Sequence, residues 1–523
     1  MRRFSLNQDL KSETYTNPIL YLDYSDPDAI RVGDDYYMTA SSFTNTPGLP
    51  ILHSRNLVNW QVIGYALNNV SEERYTKPVH GCGVWAPAIR YHEGLFYICF
   101  PMPDEGIYMI TAQDARGPWS QPKNIKPGAG YIDPCPFWDE DGRAYLVYGV
   151  AKSRIGYKSV LYISEMAPDG MSLVGPETKV FDGNDNGQET TEGPKLYKRN
   201  GYYYIFAPAG GVKIGWQLAM RSRNIYGPYE FKIIMEQGDT DINGPHQGAW
   251  VDTAGGEDWF LHFQDVYSAG RIINLEPMHW ENDWPVIGQP VREYKKPTIA
   301  AEILAGLEAV EPETSDEFPA GIPNTAWQWN ANHVSDWIVE DGRPGLTLRA
   351  VQAEPGTAIG DYPNILMQKW PYKEFTVDTT IDLSGLDDGD SFGVINMGMD
   401  YGVLQFTRQG NAVRVDFIEG SQSFGNILVD HTEEKITRLS TLIFSELSEV
   451  KVTERVQCTG TQDLNDKEKG FPMERVNFSY SINGLKPVAA GSFIAKPGRW
   501  VGAKNGFYAV GTGKVCVNSV IYS

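Results

Sequence analysis

One short pattern recurs five times in the first three hundred residues: a glycine-containing, mostly acidic turn followed by paired aromatic residues. The copies are VGDDYYMTAS, HEGLFYICF, DEDGRAYLVYG, KRNGYYYIFAP and AGGEDWFLHF, with turn glycines about 50 to 60 residues apart at Gly33, Gly94, Gly142, Gly201 and Gly256. Each copy is typical of a β-hairpin. Five such units, with four strands each, predict a five-bladed β-propeller. An irregular all-β domain with chance hairpins is the alternative.

The propeller hypothesis makes a statement about where functional residues lie, because the innermost strand of each blade borders the central channel. Five residues lie 7 to 10 positions upstream of the turn glycines: Asp26, Trp85, Asp133, Glu192 and His246. A proline lies within two residues of each, which interrupts strand pairing at the channel mouth. Taken singly, each residue is also typical of a turn or of core packing. Their similar distance from the turn glycines favours a common functional site in the channel.

Three carboxylates directed at one channel are unfavourable unless they have a chemical role. At a separation of about 6 Å and an effective dielectric constant of about 20, two carboxylates repel by about 2.8 kcal/mol, roughly two pKa units. One acid is then expected to stay protonated near neutral pH. A protonated carboxyl facing an ionised one, with room for a water, is the arrangement of inverting glycoside hydrolysis. This scheme needs no cofactor, and no G-x-S-x-G or phosphate-binding loop is present.

At these residues the chain resembles glycoside hydrolase family 43, in its two-domain branch of β-xylosidases and α-L-arabinofuranosidases. The matching segments are NPILYLDYSDPDAI, VWAPAIR, YIDPCPFW, TEGPKLY and GPHQGAWVDT. The resemblance implies that Asp26 is the general base, Glu192 the general acid, and Asp133 the residue that tunes the pKa of the acid and orients it. It implies an exo-acting, inverting enzyme that releases terminal β-D-xylosyl or α-L-arabinofuranosyl residues from plant hemicellulose oligosaccharides.

The resemblance also implies the sugar contacts. Phe43 and Trp85 are expected to form an apolar wall, and His246 and Arg271 to contact the sugar. Asp23 and Asp28 are expected to be turn or supporting residues. In parts of the family a calcium ion lies in the channel near His246; no EF-hand-like run of oxygen ligands accompanies it here. We therefore expect no required cofactor, with structural Ca²⁺ as the open alternative.

A second domain is expected after the acidic, proline-containing stretch LAGLEAVEPETSDEFPAGIPN, which places the propeller at residues 1–310 and the second domain at 311–523. Alternating apolar and polar residues in AWQWNANHVSDWIV, LTLRAV and FTVDTTIDL, with an Asn-Gly turn at Asn483, predict a β-sandwich. In the resembling branch this sandwich packs on the propeller and helps close its pocket. Trp327 and Trp329 are expected in its core, with a separate sugar-binding surface as the alternative.

Charge and cysteine content limit the remaining possibilities. The formal net charge of −21 disfavours nucleic acid and anionic membranes as partners. Five scattered cysteines predict no disulfide framework and suggest small buried side chains. The first residues lack a signal-peptide pattern, so a cytoplasmic location is expected, or a secreted one if a leader was removed. A non-catalytic sugar-binding propeller would be expected to lose an acid, and retaining fructan hydrolases would need a Glu-Cys box that is absent. Oligomeric state and sugar preference cannot be read from the sequence.

Overall fold

The computed structural model describes residues 9–523 except 301, 302, 304, 309, 311, 426 and 463–470. In the described chain, nearly all regular structure is β-strand, as predicted. The helical elements are one short turn, α1 (Lys152–Ile155), and single 3₁₀ turns at Glu73–Thr76, Tyr267–Ala269, Ser335–Trp337, Ile359–Asp361 and Phe444–Glu446. Ile303 and Ala305 are also helical. None of the helices in these residues is long and apolar enough to cross a membrane.

The first domain contains a short strand β1 (Thr14–Thr16) and then five antiparallel four-stranded sheets, the blades. Blade 1 contains β2 (Asp28–Val32), β3 (Asp35–Thr39), β4 (Gly48–Ser54) and β5 (Gln61–Leu67). Blade 2 contains β6 (Ala88–His92), β7 (Leu95–Met102), β8 (Gly106–Ala112) and β9 (Lys123–Pro127). Blade 3 contains β10 (Tyr131–Trp138), β11 (Ala144–Val150), β12 (Val160–Met166) and β13 (Thr178–Asp182). Blade 4 contains β14 (Lys195–Arg199), β15 (Tyr202–Ala209), β16 (Trp216–Ser222) and β17 (Glu230–Met235), and blade 5 contains β18 (His246–Asp252), β19 (Asp258–Asp265), β20 (Arg271–Glu281) and β21 (Trp284–Val286).

The five predicted turn glycines each join the first and second strands of a blade. Their φ angles lie between 65° and 83°, in the left-handed region that favours glycine. The following strands contain the paired aromatic residues, which pack between neighbouring blades. The predicted hairpins and the five-bladed propeller are therefore confirmed.

The blades form a closed ring. The first strands of blades 1, 2, 3 and 4 pack side by side, and β18 of blade 5 packs against β2 of blade 1. The segment that precedes β2 adds a second connection, because β1 pairs with β22 (Glu293–Lys295) after the last blade. Between them, the buried Asn17 amide donates to the carbonyl of Leu275 and accepts from its N–H. The start and the end of the propeller are thus hydrogen-bonded to each other.

The second domain is a sandwich of two antiparallel sheets, as predicted. Its strands are β23 (Gln328–Trp329), β24 (Leu346–Arg349), β25 (Leu366–Lys369), β26 (Phe375–Asp382), β27 (Ser391–Met397), β28 (Asp400–Gln409), β29 (Ala412–Phe424), β30 (Val429–Ile443), β31 (Val450–Gln462), β32 (Phe471–Ile482), β33 (Val488–Ile494), β34 (Lys504–Val510) and β35 (Lys514–Tyr522). One sheet has the order β23-β25-β34-β27-β28-β29-β30, and the other has the order β24-β35-β26-β31-β32-β33. An apolar core fills the space between them.

Local predictions in the sandwich were partly wrong. The stretch AWQWNANHVSDWIV contains strand only at Gln328–Trp329, since its following residues form polar contacts with the propeller instead of a ladder. The turn at Asn483 and Gly484 is present with φ angles of 49° and 72°, although the connection between β32 and β33 spans residues 483–487. Trp327 and Trp329 are 3% and 4% exposed and lie in the core, so they offer no sugar platform.

The sandwich contacts blade 1 through backbone and amide hydrogen bonds. Thr46 and Trp329 exchange two backbone hydrogen bonds across the domains. The Asn332 amide both accepts from the backbone of Val70 and donates to it. The expected division between residues 310 and 311 falls where 309 and 311 lie outside the described residues. The five blades occupy residues 28–286 and the sandwich strands 328–522.

The cysteines are all free, and their burial differs from the expectation. Cys82, Cys99 and Cys135 are buried, Cys516 is half-buried, and Cys458 is exposed on the sandwich. The expectation of uniformly buried thiols is wrong for Cys458. This residue lies at the end of the long β31, where the strand extends beyond the core.

Candidate active site

The predicted channel residues lie where the first strand of each blade begins. Asp26 precedes β2, Glu192 precedes β14, His246 begins β18, and Asp133 lies at an irregularity in the pairing of β10. Asp26 and Asp133 have φ angles of 56° and 55°, which are uncommon for residues with a side chain and are found disproportionately at functional sites. The backbone therefore turns each of these two carboxyls away from the regular strand direction.

A cavity of about 420 Å³ opens above these residues. Six of the seven predicted site residues line it: Asp26, Phe43, Trp85, Asp133, Glu192 and Arg271. The seventh, His246, is fully buried and supports the cavity from below. The rings of Phe43 and Trp85 lie 6.3 Å apart and form one apolar side. The volume lies in the range of small-molecule sites and suits a short sugar.

Asp26 is held by three donors. The hydroxyls of Ser25 and Ser41 donate to its Oδ2 at 2.7 and 2.6 Å, and Arg271 Nη1 lies 3.3 Å from Oδ1. Arg271 also donates to the Ser25 hydroxyl. The contacts fix the carboxyl orientation, since each oxygen has a defined partner.

Glu192 contacts the predicted histidine directly. His246 Nε2 lies 2.9 Å from Glu192 Oε1, and the other ring nitrogen, Nδ1, is buried and has no hydrogen-bond partner among the described residues. A buried N–H without an acceptor is costly, so we assign the ring proton to Nε2, which donates to Glu192. His246 thus positions Glu192. The predicted direct contact of His246 with the sugar receives no support, because the ring is fully buried and does not line the cavity.

Asp133 is the acid that the structure favours in its protonated form. Its Oδ2 accepts a hydrogen bond from the Gly193 backbone at 2.7 Å. Burial, then the neighbouring carboxylates of Glu192 and Asp26, raise the pKa of Asp133 to about 8. Because Glu192 and Asp26 both raise the pKa of Asp133, the three carboxyls lie close enough to interact. A pKa of about 8 favours the protonated form of Asp133 near neutral pH.

Several cavity residues were not identified from the sequence. Gln247 follows His246, is buried, and has a side-chain oxygen without a partner in the described residues. This oxygen is a suitable acceptor for a sugar hydroxyl. Lys152, Lys158, Arg499 and Trp500 also line the cavity. The His-Gln pair in GPHQGAW could have drawn attention to Gln247, whereas Arg499 and Trp500 lie in a sandwich loop without any motif.

Asp23 and Asp28 have supporting positions, and neither lines the cavity. Asp23 accepts from the backbone N–H groups of Arg271 and Gly502, at 2.9 and 2.8 Å, and so joins blade 5 to the sandwich loop. Asp28 is fully buried and pairs with Arg90 of blade 2 at 2.6 Å. Both carboxylates therefore connect elements that carry cavity residues.

The residues around His246 offer few ligands for a calcium ion. Within the described part of the chain, no three His, Cys, Asp or Glu side chains come together as a metal-binding group. In the described residues, the unpartnered atoms here are the nitrogen Nδ1 of His246 and one oxygen, that of Gln247, whereas calcium prefers six to eight oxygen ligands. The side chains present do not fit a calcium ion held by protein oxygens.

Two family models match the chain, and together they span both domains. The model described as "Glycosyl hydrolases family 43" matches residues 15–285. The model described as "Beta xylosidase C-terminal Concanavalin A-like domain" matches residues 315–522.

The chain is also similar to individual proteins. It is 40% identical over 383 residues to a putative β-xylosidase of Xylanibacter ruminicola, which covers 71% of this chain and 69% of that protein. It is 29% identical over 443 residues to a non-reducing end α-L-arabinofuranosidase of Bacteroides ovatus, covering 78% of each. The solved structure of a xylan β-1,4-xylosidase from Bacillus halodurans aligns with a TM-score of 0.80 over 97% of this chain and 99% of that one, at 24% identity.

Proposed function

The chain belongs to glycosyl hydrolases family 43, and from this premise we propose that it is an exo-acting, inverting glycosidase acting on terminal β-D-xylosyl or α-L-arabinofuranosyl residues of plant hemicellulose oligosaccharides. One observation carries the proposal: three carboxyls from three blades line a single cavity of about 420 Å³. The names of the relatives include both β-xylosidase and α-L-arabinofuranosidase. Nothing in the comparisons favours a non-catalytic sugar-binding propeller.

In this mechanism Asp26 is the general base. Its carboxyl is oriented by Ser25, Ser41 and Arg271, and its proposed role is to remove a proton from a water that attacks the anomeric carbon. Because the water attacks from the face opposite the leaving group, the configuration inverts. Arg271 also lines the cavity, where its guanidinium is available to a sugar hydroxyl.

Glu192 is the proposed general acid. Its carboxyl lines the cavity and is positioned by His246, and the proton it donates goes to the departing glycosidic oxygen. Beside Glu192, the pKa of Asp133 is raised to about 8, which favours its protonated form near neutral pH. Since the two groups interact, their protons belong to the pair, and Asp133 is suited to set the protonation of Glu192.

The substrate test compares two small substrates that share a leaving group. Purified protein is assayed with an aryl β-D-xyloside and an aryl α-L-arabinofuranoside under the same conditions. We expect hydrolysis of at least one, and the ratio of the two kcat/KM values defines the preference. Folded protein without activity on either substrate would contradict the proposed sugar class.

The stereochemical test examines the first-formed product. Proton NMR recorded before mutarotation should show the anomer opposite to that of the substrate. The retained anomer would exclude Asp26 as a base that acts through water. We propose that no calcium ion is required, since the described side chains around His246 do not supply its oxygen ligands. Activity and melting temperature should therefore be unchanged by treatment with a chelator, and a loss of either would support the alternative of structural calcium.

A further inference from the structure

Three cationic side chains line the active-site cavity without a carboxylate partner. Lys152 and Lys158 come from the β11–β12 connection of blade 3, and Arg499 comes from the sandwich. In the described residues, none of the three forms an ion pair with Asp or Glu. By contrast, two neighbouring arginines are paired: Arg154 with Asp104 at 3.1 Å, and Arg271 with Asp26.

The positive charge of this group contrasts with the charge of the whole protein. The protein has 66 acidic and 45 basic side chains, so carboxylates outnumber cations overall. Arg499 also lies near a second guanidinium, because Arg154 stacks 5.0 Å from the Trp85 ring and Arg499 stacks 4.7 Å from the Trp500 ring. The Trp85 and Trp500 rings are 6.3 Å apart. Burial and the charge of Arg154 lower the pKa of Arg499, which indicates positive charge without compensation.

The position of Lys158 relates this group to the leaving-group side of the cavity. Its Nζ donates to the hydroxyl of Thr190 at 2.7 Å, two residues before the proposed proton donor Glu192. The proton donor faces the departing oxygen by its role, so the sugar that leaves lies next to this segment. Lys158 therefore lies on the leaving-group side of the cavity, and Lys152 comes from the same β11–β12 connection.

We propose that Lys152, Lys158 and Arg499 recognise a carboxylate on the leaving group, so that the preferred substrates are acidic oligosaccharides with a uronic-acid substituent next to the terminal sugar. The inference rests on the proposed glycosidase function and specifies its substrate class. A carboxylate matches the fork of an arginine side chain, and the lysines supply further charge. The aromatic rings of Trp85 and Trp500 remain available to pack against the neutral sugar rings.

The test compares neutral and acidic oligosaccharides that have the same preferred terminal sugar. For a xylose preference, these are xylotriose and xylotriose with glucuronic acid on its middle xylose. At low salt we expect kcat/KM to be about tenfold higher for the acidic substrate, since each of three partly screened charge pairs contributes about a factor of two. The preference should decline towards one in 0.5 M NaCl, because salt screens exposed charges at about 3–5 Å.

Matched variants assign the preference to the cavity. Arg499→Gln should lower the acidic-to-neutral ratio about twofold, and Arg499→Lys should restore part of it. Lys123→Gln removes the same charge from the exposed outer strand of blade 2 and should leave the ratio unchanged. If Arg499→Gln lowers both rates equally, the cations act on the catalytic acids and the proposal is wrong.

A binding measurement separates this proposal from the proposed function. A wild-type ratio near one at low salt, with aryl glycosides hydrolysed normally, overturns the acidic preference and leaves the glycosidase function intact. If no aryl glycoside is hydrolysed, calorimetry with the Asp26→Asn protein compares the two oligosaccharides directly. Tighter binding of the acidic one supports the inference, and equal affinities overturn it.

Discussion

Asp133 shows how the surroundings of one residue determine its protonation. The carboxyl is buried, accepts one backbone hydrogen bond from Gly193, and faces two other acids. Burial and like charge both disfavour its ionised form, and a single backbone donor does not offset them. The same cavity thus contains an acid held protonated and another, Asp26, surrounded by donors. In the proposed mechanism Asp26 is the base, and Asp133 acts on the general acid Glu192 through the interaction between their carboxyls.

The raised pKa of Asp133 predicts a dependence of stability on pH. The ordinary value is 3.8 and the folded value about 8, so between these pH values the folded protein keeps a proton that the unfolded chain has lost. This contribution is complete below about pH 4 and is lost as the pH rises through about 8. Asp133→Asn cannot ionise, so it should raise the melting temperature by about 2–4 °C at pH 8.5 and by less at pH 5.

Thermal melts at the two pH values check this expectation. The exposed Asp239→Asn is the control and should shift both melting temperatures equally. An equal shift for Asp133→Asn at both pH values would show that its carboxyl is ionised throughout.

The role of Glu192 is tested by leaving groups of different basicity. An alkoxide leaving from xylobiose needs a proton in the transition state, whereas a dinitrophenolate scarcely does. Glu192→Ala should therefore lower turnover of xylobiose about a hundredfold to ten-thousandfold and preserve much of the rate on a dinitrophenyl glycoside of the preferred sugar. Asp26→Ala should abolish both, because both need an activated water. Equal losses for a folded Glu192 variant would move the donor role to another acid, with Asp133 next.

At the scale of the elements, two glycines with the same backbone conformation have different functions. Gly94, in the first hairpin of blade 2, has a φ of 83° and open space where a Cβ would lie. Gly83 has a φ of 82°, but a Cβ there would lie 2.3 Å from the carbonyl oxygen of Phe43. The first glycine permits a turn, and the second also permits close contact between the segments that carry Phe43 and Trp85.

Alanine substitutions should separate these functions. Gly94→Ala should lower the free energy of unfolding by about 1–2 kcal/mol, the cost of a left-handed residue with a side chain, and leave KM unchanged. Gly83→Ala should cost more and raise KM, because Phe43 must move from the cavity wall. Chemical denaturation and steady-state kinetics on one aryl glycoside measure both. The same KM for both variants would contradict the proposed link between this contact and the cavity.

The repeat made the elements of the propeller predictable. Turn glycines recur once per blade, and the acids lie 7 to 9 residues before them, so Asp26, Asp133 and Glu192 could be placed at the channel from the sequence. The local backbone conformation was harder to predict from the sequence. The left-handed backbone of Gln247, with a φ of 33°, depends on an irregularity in the pairing of β18 that no composition signal reveals.

At the scale of the whole molecule, the sandwich contributes directly to the cavity. Arg499 and Trp500 line it, and the adjacent Gly502 is hydrogen-bonded to Asp23. These residues lie more than 470 positions from Asp26 in the chain and in a loop between β33 and β34. A sequence pattern indicates local periodicity but not which distant loops come into contact. The position of Arg499 and Trp500 in the cavity could therefore not be predicted from the sequence.

A chain ending at residue 314 tests the contribution of the sandwich. It loses the Arg499 and Trp500 wall and leaves the backbone groups of Thr46 without their sandwich partners. We expect an insoluble protein, or one whose activity on a small aryl glycoside falls about a hundredfold or more, because a displaced substrate loses its productive geometry. Full activity on the small substrate with a loss only on polymers would instead indicate a separate binding module.

The closure of the propeller has a consequence for biosynthesis. Each blade uses four consecutive strands, so each blade can form from a continuous stretch of chain. The contact of residues 14–20 with blade 5 instead joins the two ends of the propeller. In this contact Asn17 is hydrogen-bonded to Leu275, 258 positions later in the chain. At about 5–20 residues per second, a ribosome exposes the second partner about 13–50 s after the first. Throughout that time the segment at residues 14–20 has been synthesised but its partner in blade 5 has not. Ring closure is therefore a late step of co-translational folding, during which the early segment is open to chaperones.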